Sequence, residues 1–466
     1  MKKHLILALS IILLTAVFGC AAAPTDLTAT DVVTTATSAF TTTSTSTATN
    51  PGTTAVPTYT LSQVRDDFDQ LVSELSRNPK LFTDDLEFSR VMSEERALLH
   101  GGMTKLELYR TFSRVISALR CGHSGMVLPT NVFEDIYLAG YEYPVDALLF
   151  EGKLRVVAVN RDLSIEVGDE IVAIDGVSVQ DTTAEMMRYL SADGEGTAMK
   201  TRILAESYFT NYLLYLADDD VLEIEYVDAD TGIAMTLALE RDLPIVDRNE
   251  LPRPSVESEF HEGYAVLTVR SFYPNASETV ASICAQFDAF FARVDDEGIR
   301  HVVIDLRGNG GGDPVPSSRL FSYLAAVSQP YFRADAPNYY PGLKSDVPLL
   351  EPHYDGAVYT LIDGLCFSTT GHFAALLKFQ DIGTFIGTET GGSFVCTDNS
   401  ANFTLSRTGM RFRMSRTVWG VAVEGFTLGR GIAPDIPLEI TFDDYMADVD
   451  TVMAAAVALI EAALHP

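Results

Sequence analysis

Three stretches of this chain hold residues of types and spacings that could do chemistry. In "LCFSTTGHFAALLK" (365–378), Ser368 follows the apolar, strand-like "VYTLID" and opens a helix-like segment. A serine there either caps the helix with its hydroxyl or attacks a substrate. In the second case the positive end of the helix would help it, and the Thr369 N–H could serve as an oxyanion donor. In "VVIDLRGNGGG" (302–312) a glycine run follows a buried strand, which leaves amides bare and lets a ligand approach the chain. A phosphate loop is excluded because no Gly-Lys-Ser/Thr follows, and a dinucleotide fingerprint because Asp313 stands where it needs a glycine. An oxyanion hole on Gly310 and Gly311, or a tight turn, remains. In "LRCGHSGMVLP" (119–129), His123 sits on a loop after a helical segment, with the pKa range of a general base. His372 is its rival, one helical turn beyond Ser368.

Composition narrows the alternatives. A net charge of −31 argues against nucleic acid, whose phosphates would be repelled. There is no CxxC or HExxH, so neither a metal site nor a cofactor is expected. Besides Cys20, the cysteines are Cys121, Cys284, Cys366 and Cys396, too sparse for a disulfide scaffold.

The elements that must position these residues follow in order. Residues 1–20, "MKKHLILALSIILLTAVFGC", read as a secretory signal, since the apolar run is shorter than the about 20 residues of a membrane span. The ending "VFGC" resembles a bacterial lipobox, which implies lipidation of Cys20 and an extracytoplasmic, membrane-anchored protein. Residues 21–58, rich in Thr, Ser and Ala, read as a flexible tether. Residues 59–140 are helical: Leu61, Val64, Phe68, Leu71, Val72 and Leu75 form one stripe. Residues 141–245 begin with short strands and Gly-Asp and Asp-Gly turns. They turn helical over 183–216 and close with a hairpin in "DVLEIEYVDADTGIAMTLALE". Residues 246–466 alternate apolar strands with helices, the pattern of a covered α/β sheet, and end in a helix from 443.

"VVIDLRGNGGG", "LIDGLCFSTTGHFAALL", "FIGTETGGS" and "GRGIAPDI", in that order, resemble the serine peptidases of the C-terminal-processing and tricorn type (family S41). "LRCGHSGMVLP" resembles the family's early Asp-Gly-His-Thr loop, with Cys121 in place of Asp, and "IEVGDEIVAIDGVSV" its PDZ domain. The resemblance covers roughly 60–460 and implies a ClpP/crotonase-like catalytic core with a PDZ-like β-rich domain and an N-terminal helical region. It also implies a peptide or protein substrate. Ser393 stands where the C-terminal-processing branch has its lysine, and Lys378 is three turns down the helix, so no Ser–Lys dyad is expected. The tricorn-like branch uses a histidine from the early loop, which is His123 here. Gly371 replaces the family's glutamate, Gly122 its serine beside the histidine, and Glu424 stands nearest to its late acid. The expectation is a lipid-anchored serine endopeptidase using Ser368, His123 and Glu424, with the Gly310, Gly311 and Thr369 amides holding the oxyanion. The alternatives are an inactive relative that binds peptides or envelope proteins, and a crotonase-type acyl-CoA enzyme.

Overall fold

The computed structural model describes residues 58–133, 141–217, 221–241, 243–244 and 253–465. The signal, Cys20 and nearly all of the tether lie outside them. Among the described residues no helix is long and apolar enough to cross a membrane.

Three helices, Leu61–Leu75, Asp85–Leu98 and Lys105–Ser117, open the described chain. Thr60 and Thr104 start the first and third with reciprocal capping boxes. Val64, Phe68, Leu71 and Leu75 bury the expected stripe. The middle of the chain forms an antiparallel sheet of Val145–Phe150, Lys153–Val159, Glu170–Ile174, Val221–Val227 and Ala234–Glu240, with Val177–Ser178 on its side. Its last two strands are the hairpin read from the sequence. The residues expected to be helical over 183–216 form three helices, Val179–Met187, Ala198–Glu206 and Tyr208–Tyr215. The break between the first two contains "SADGEG", where a positive φ at Gly194 (+66°) turns the chain.

The core sheet runs Val256–His261, Tyr264–Val269, His301–Asp305, Ala357–Ile362, Thr384–Gly387 and Ile436–Pro437, in sequence order. The first pair is antiparallel and the rest are parallel. Parallel neighbours need crossovers, and helices Val280–Asp296, Pro314–Leu324 and Thr369–Phe379 supply three of them. Side chains alternate between the faces. Leu267, Val302 and Ile304 pack with Phe287, Phe321 and Phe373 on one face. Val266, Val303 and Leu361 meet Val452, Ala456 and Ile460 of the last helix, Thr451–Leu464, on the other. The terminal helical pattern is broken: a short helix, Phe442–Met446, precedes that helix.

One small sheet joins the front of the chain to its rear. Gly125–Val127, directly after His123, pairs antiparallel with Arg411–Met414, which pairs with Ala401–Thr404. Phe412 and Met414 share a hydrophobic core with Phe68, Leu71 and Phe112 of the N-terminal helices. Buried Asp67 accepts from the Arg407 and Thr408 amides at 2.8 Å each. Together these contacts carry the His123 loop onto the α/β core.

Candidate active site

The buried strand Ala357–Ile362 ends in the loop 363–367, and Ser368 opens the helix Thr369–Phe379. Ser368 holds φ +53° and ψ −124°, a conformation L-residues adopt at a cost of about 1–3 kcal/mol and one that clusters at functional sites. Its hydroxyl makes no cap hydrogen bond. Instead, Oγ lies 3.0 Å from His123 Nε2, across 245 residues of sequence. With the ring proton on Nδ1, Nε2 accepts the Ser368 hydroxyl.

His123 is fully buried, in a turn closed by the Ser124 N–H donating to the Cys121 carbonyl at 3.1 Å. Its ring lies on Phe367, with centroids 4.6 Å apart. Gly122 must be glycine because a Cβ would fall 2.5 Å from that Phe367 ring. Burial lowers the His123 pKa, Asp398 raises it and Arg413 lowers it again. The imidazole is therefore neutral and ready to accept a proton at neutral pH. Its Nδ1 is buried and meets no hydrogen-bond partner among the described residues.

The acid beside the ring is Asp398, at the end of strand Val395–Asp398, with Oδ2 4.0 Å from His123 Nε2. Its Oδ1 accepts from Ser400 Oγ at 3.0 Å and from the Arg413 guanidinium at 3.4 Å. Glu424, the acid expected from the sequence, is exposed and is not among the charged groups acting on His123. Asp398 carries no signal of its own in the sequence: "VCTDNS" reads as a strand running into a turn. Only the pairing of Val395–Asp398 with Thr417–Gly420 sets it beside the ring.

The other histidine stays off the hydroxyl. His372 is buried, and burial first and His123 second drive its pKa down to about 3, against the raising effects of Asp398 and the Trp419 backbone. Its Nε2 has no partner among the described residues. Lys378 is ion-paired with Asp435 at the far end of the helix. Ser393 is buried, with its amide against Gly371 of the helix that Ser368 opens. Gly371 gains its explanation here, because a Cβ on it would fall 2.5 Å from the Gly392 carbonyl carbon and 2.6 Å from the Ser393 amide. That close approach leaves no room for the family's glutamate.

The glycine loop lies against Ser368. The Phe367 N–H donates to the Asn309 carbonyl at 3.1 Å, and Thr369 Oγ1 to the Gly312 carbonyl at 2.6 Å. Asp363 Oδ1 accepts from both the Gly308 and Leu365 amides at 3.0 Å, while Oδ2 takes Arg202 at 3.1 Å. Gly311 does not act as sketched from the sequence: its N–H is engaged by Asn309 Oδ1 at 2.9 Å. Its contribution is close approach, because at φ +108° a Cβ would fall 2.8 Å from Ser368 Cβ and 2.9 Å from the Thr369 amide. Among the described residues, the Gly310 and Thr369 amides donate to no protein acceptor. The arrangement offers a strained hydroxyl, a neutral imidazole in hydrogen-bond contact, a nearby carboxylate and two free amides.

Residues 263–438 match the family model for peptidase family S41. That stretch, a little over a third of the chain, is similar to the S41 peptidases. The chain is a serine-type peptidase, and its substrates are peptides or proteins. The match contains Ser368 and the glycine loop; His123 precedes it. Among solved structures, mature CPAF complexed with lactacystin is similar at TM-score 0.61 and 14% identity, over 86% of this chain and 98% of that one. The photosystem II D1 C-terminal processing protease gives TM-score 0.40 and 15% identity, over 81% of this chain and 93% of that one. At these identities the CPAF likeness speaks to fold. No curated protein sequence matches the chain.

Proposed function

We propose that this peptidase is a lipid-anchored, extracytoplasmic endopeptidase in which Ser368 attacks the scissile carbonyl and His123 is the general base. His123 Nε2 takes the hydroxyl proton as the Oγ–C bond forms. The Gly310 and Thr369 N–H groups receive the oxyanion, and Asp398 stabilises the imidazolium electrostatically. The imidazolium then protonates the leaving amine as the C–N bond breaks. Water, deprotonated by the same nitrogen, cleaves the acyl-enzyme and restores Ser368. The middle β-rich region, PDZ-like in sequence but without a clear Gly-Leu-Gly-Phe carboxylate loop, has a reduced, regulatory role. Lipidation of Cys20 and the Thr/Ser tether keep the enzyme at the membrane surface.

The observation that carries this reading is the 3.0 Å contact between Ser368 Oγ and His123 Nε2. A fluorophosphonate probe should label the wild type at Ser368, and Ser368→Ala and His123→Ala should abolish both labelling and casein hydrolysis. Undiminished hydrolysis in either variant would reject the assignment. Anchoring is tested separately: Cys20→Ser should move the protein from the membrane to the soluble fraction of a bacterial host.

A further inference from the structure

We infer that Asp193, from the middle region, is a positioning residue that fixes the His123 loop for proton transfer; this rests on the reading of Ser368 and His123 as the catalytic pair. Asp193 lies in the break between helices Val179–Met187 and Ala198–Glu206, outside the part of the chain that matches the family model. It is 4% exposed, and its Oδ1 accepts the Gly122 N–H at 2.8 Å.

Gly122 is the weak point of the base loop. The Phe367 ring allows no side chain there, so the peptide that leads into His123 has glycine's conformational freedom. The neighbouring residues are held by other means. The Gly194 N–H donates to the Arg120 carbonyl at 2.9 Å, and Arg120 pairs with Glu195 at 2.7 Å. Beyond it, Ser124 Oγ donates to Cys121 Sγ at 3.3 Å and accepts from the Ser415 N–H at 3.1 Å. Between these anchors, the hydrogen bond that pins the Gly122 amide is the one to Asp193.

Asp193 is itself rigidly placed, because Gly194 turns at φ +66° so tightly against Gly429 that a Cβ would fall 2.2 Å from its Cα. The arrangement costs the fold something. Asp193 Oδ2 is buried with no hydrogen-bond partner among the described residues, and Asp398 and Cys121 are the ionisable groups electrostatically coupled to it. A polar group left half-satisfied in the interior is expensive, which fits a residue retained for what it holds. The consequence is that the middle region completes the catalytic geometry as well as flanking it.

The test is the inactivation kinetics of the full chain with a fluorophosphonate probe, which reports chemistry at Ser368 independently of the natural substrate. Asp193→Ala should lower kinact at least tenfold and leave KI within twofold. Asp193→Asn, which keeps an acceptor for Gly122, should restore kinact to within threefold of wild type. Should the alanine variant fail to fold, Asp193→Glu retains the carboxyl group but displaces the acceptor and should show the same loss. A wild-type kinact in the alanine or glutamate variant would overturn the inference. So would an asparagine variant as slow as alanine, or an effect confined to KI. Wild-type labelling of Ser368→Ala or His123→Ala would instead overturn the catalytic pair, so the two failures are distinguishable.

Discussion

Replacing Asp398 by asparagine tests the electrostatics of the proposed mechanism most directly. In the wild type Asp398 Oδ2 lies 4.0 Å from His123 Nε2, the nitrogen that gains the proton. Two unit charges at that separation interact by about 4 kcal/mol at an effective dielectric of about 20. Arg413 lies 3.4 Å from the other carboxylate oxygen and opposes the effect at the imidazole. Taking half of the pairwise figure leaves about 2 kcal/mol of imidazolium stabilisation, or about thirtyfold in kcat/KM. The sign in pH follows. Burial holds the His123 pKa below its usual 6.5, and Asp398 pulls it back up. The wild-type acid limb should therefore fall below pH 6.5, and in Asp398→Asn it should move to still lower pH while the plateau drops. The assay is kcat/KM for a fluorogenic casein between pH 4 and 9, beside fluorophosphonate labelling rates for both proteins. A variant within twofold of wild type, or a limb displaced to higher pH, would refute the reasoning.

The remaining expectations need simpler measurements. His372, held at about 3 by burial and by His123, should show no titration above pH 4 in the NMR spectrum of ring-labelled protein; a transition near pH 6 assigned to it would contradict the site. Gly371→Ala places a Cβ 2.5 Å from the Gly392 backbone, so overpacking should cost about 1–3 kcal/mol in urea unfolding and slow Ser368 labelling; unchanged stability would show that the helix and the Gly392 loop can part freely. Burial first, then Asp398, raise the Asp193 pKa from 3.8 to about 7 against the hydrogen bond from Gly122. The folded state thus keeps a proton that the unfolded chain gives up, and the contribution of Asp193 to stability should fall between pH 4 and pH 7. Asp193→Asn lacks this loss, so its stability relative to wild type should rise over that window by up to about 4 kcal/mol; a pH-independent difference would refute it.

Much of this protein was legible in its residues because the signals are local. The apolar stripe of Leu61–Leu75, the strand-and-glycine pattern of 302–312 and the strand–serine–helix pattern around Ser368 depend on neighbours within a few residues. Ordered motifs were enough to pair His123 with Ser368 and to place the family. Composition marked 183–216 as helical but not where the helices break, as at "SADGEG".

What only the tertiary structure decided is which groups meet across hundreds of residues, since no local pattern encodes such a distance. The pairing of Gly125–Val127 with Arg411–Met414 carries the imidazole to the hydroxyl, and the ribbon of Val395–Asp398 chooses Asp398 over Glu424. Hydrogen-bond competition removes the Gly311 amide from the proposed oxyanion donors, because Asn309 takes it first. Close backbone contact, which a sequence does not print, explains why Gly371 stands where a glutamate was expected. The residue types supplied the chemistry, and the packing of distant segments selected which of them can perform it.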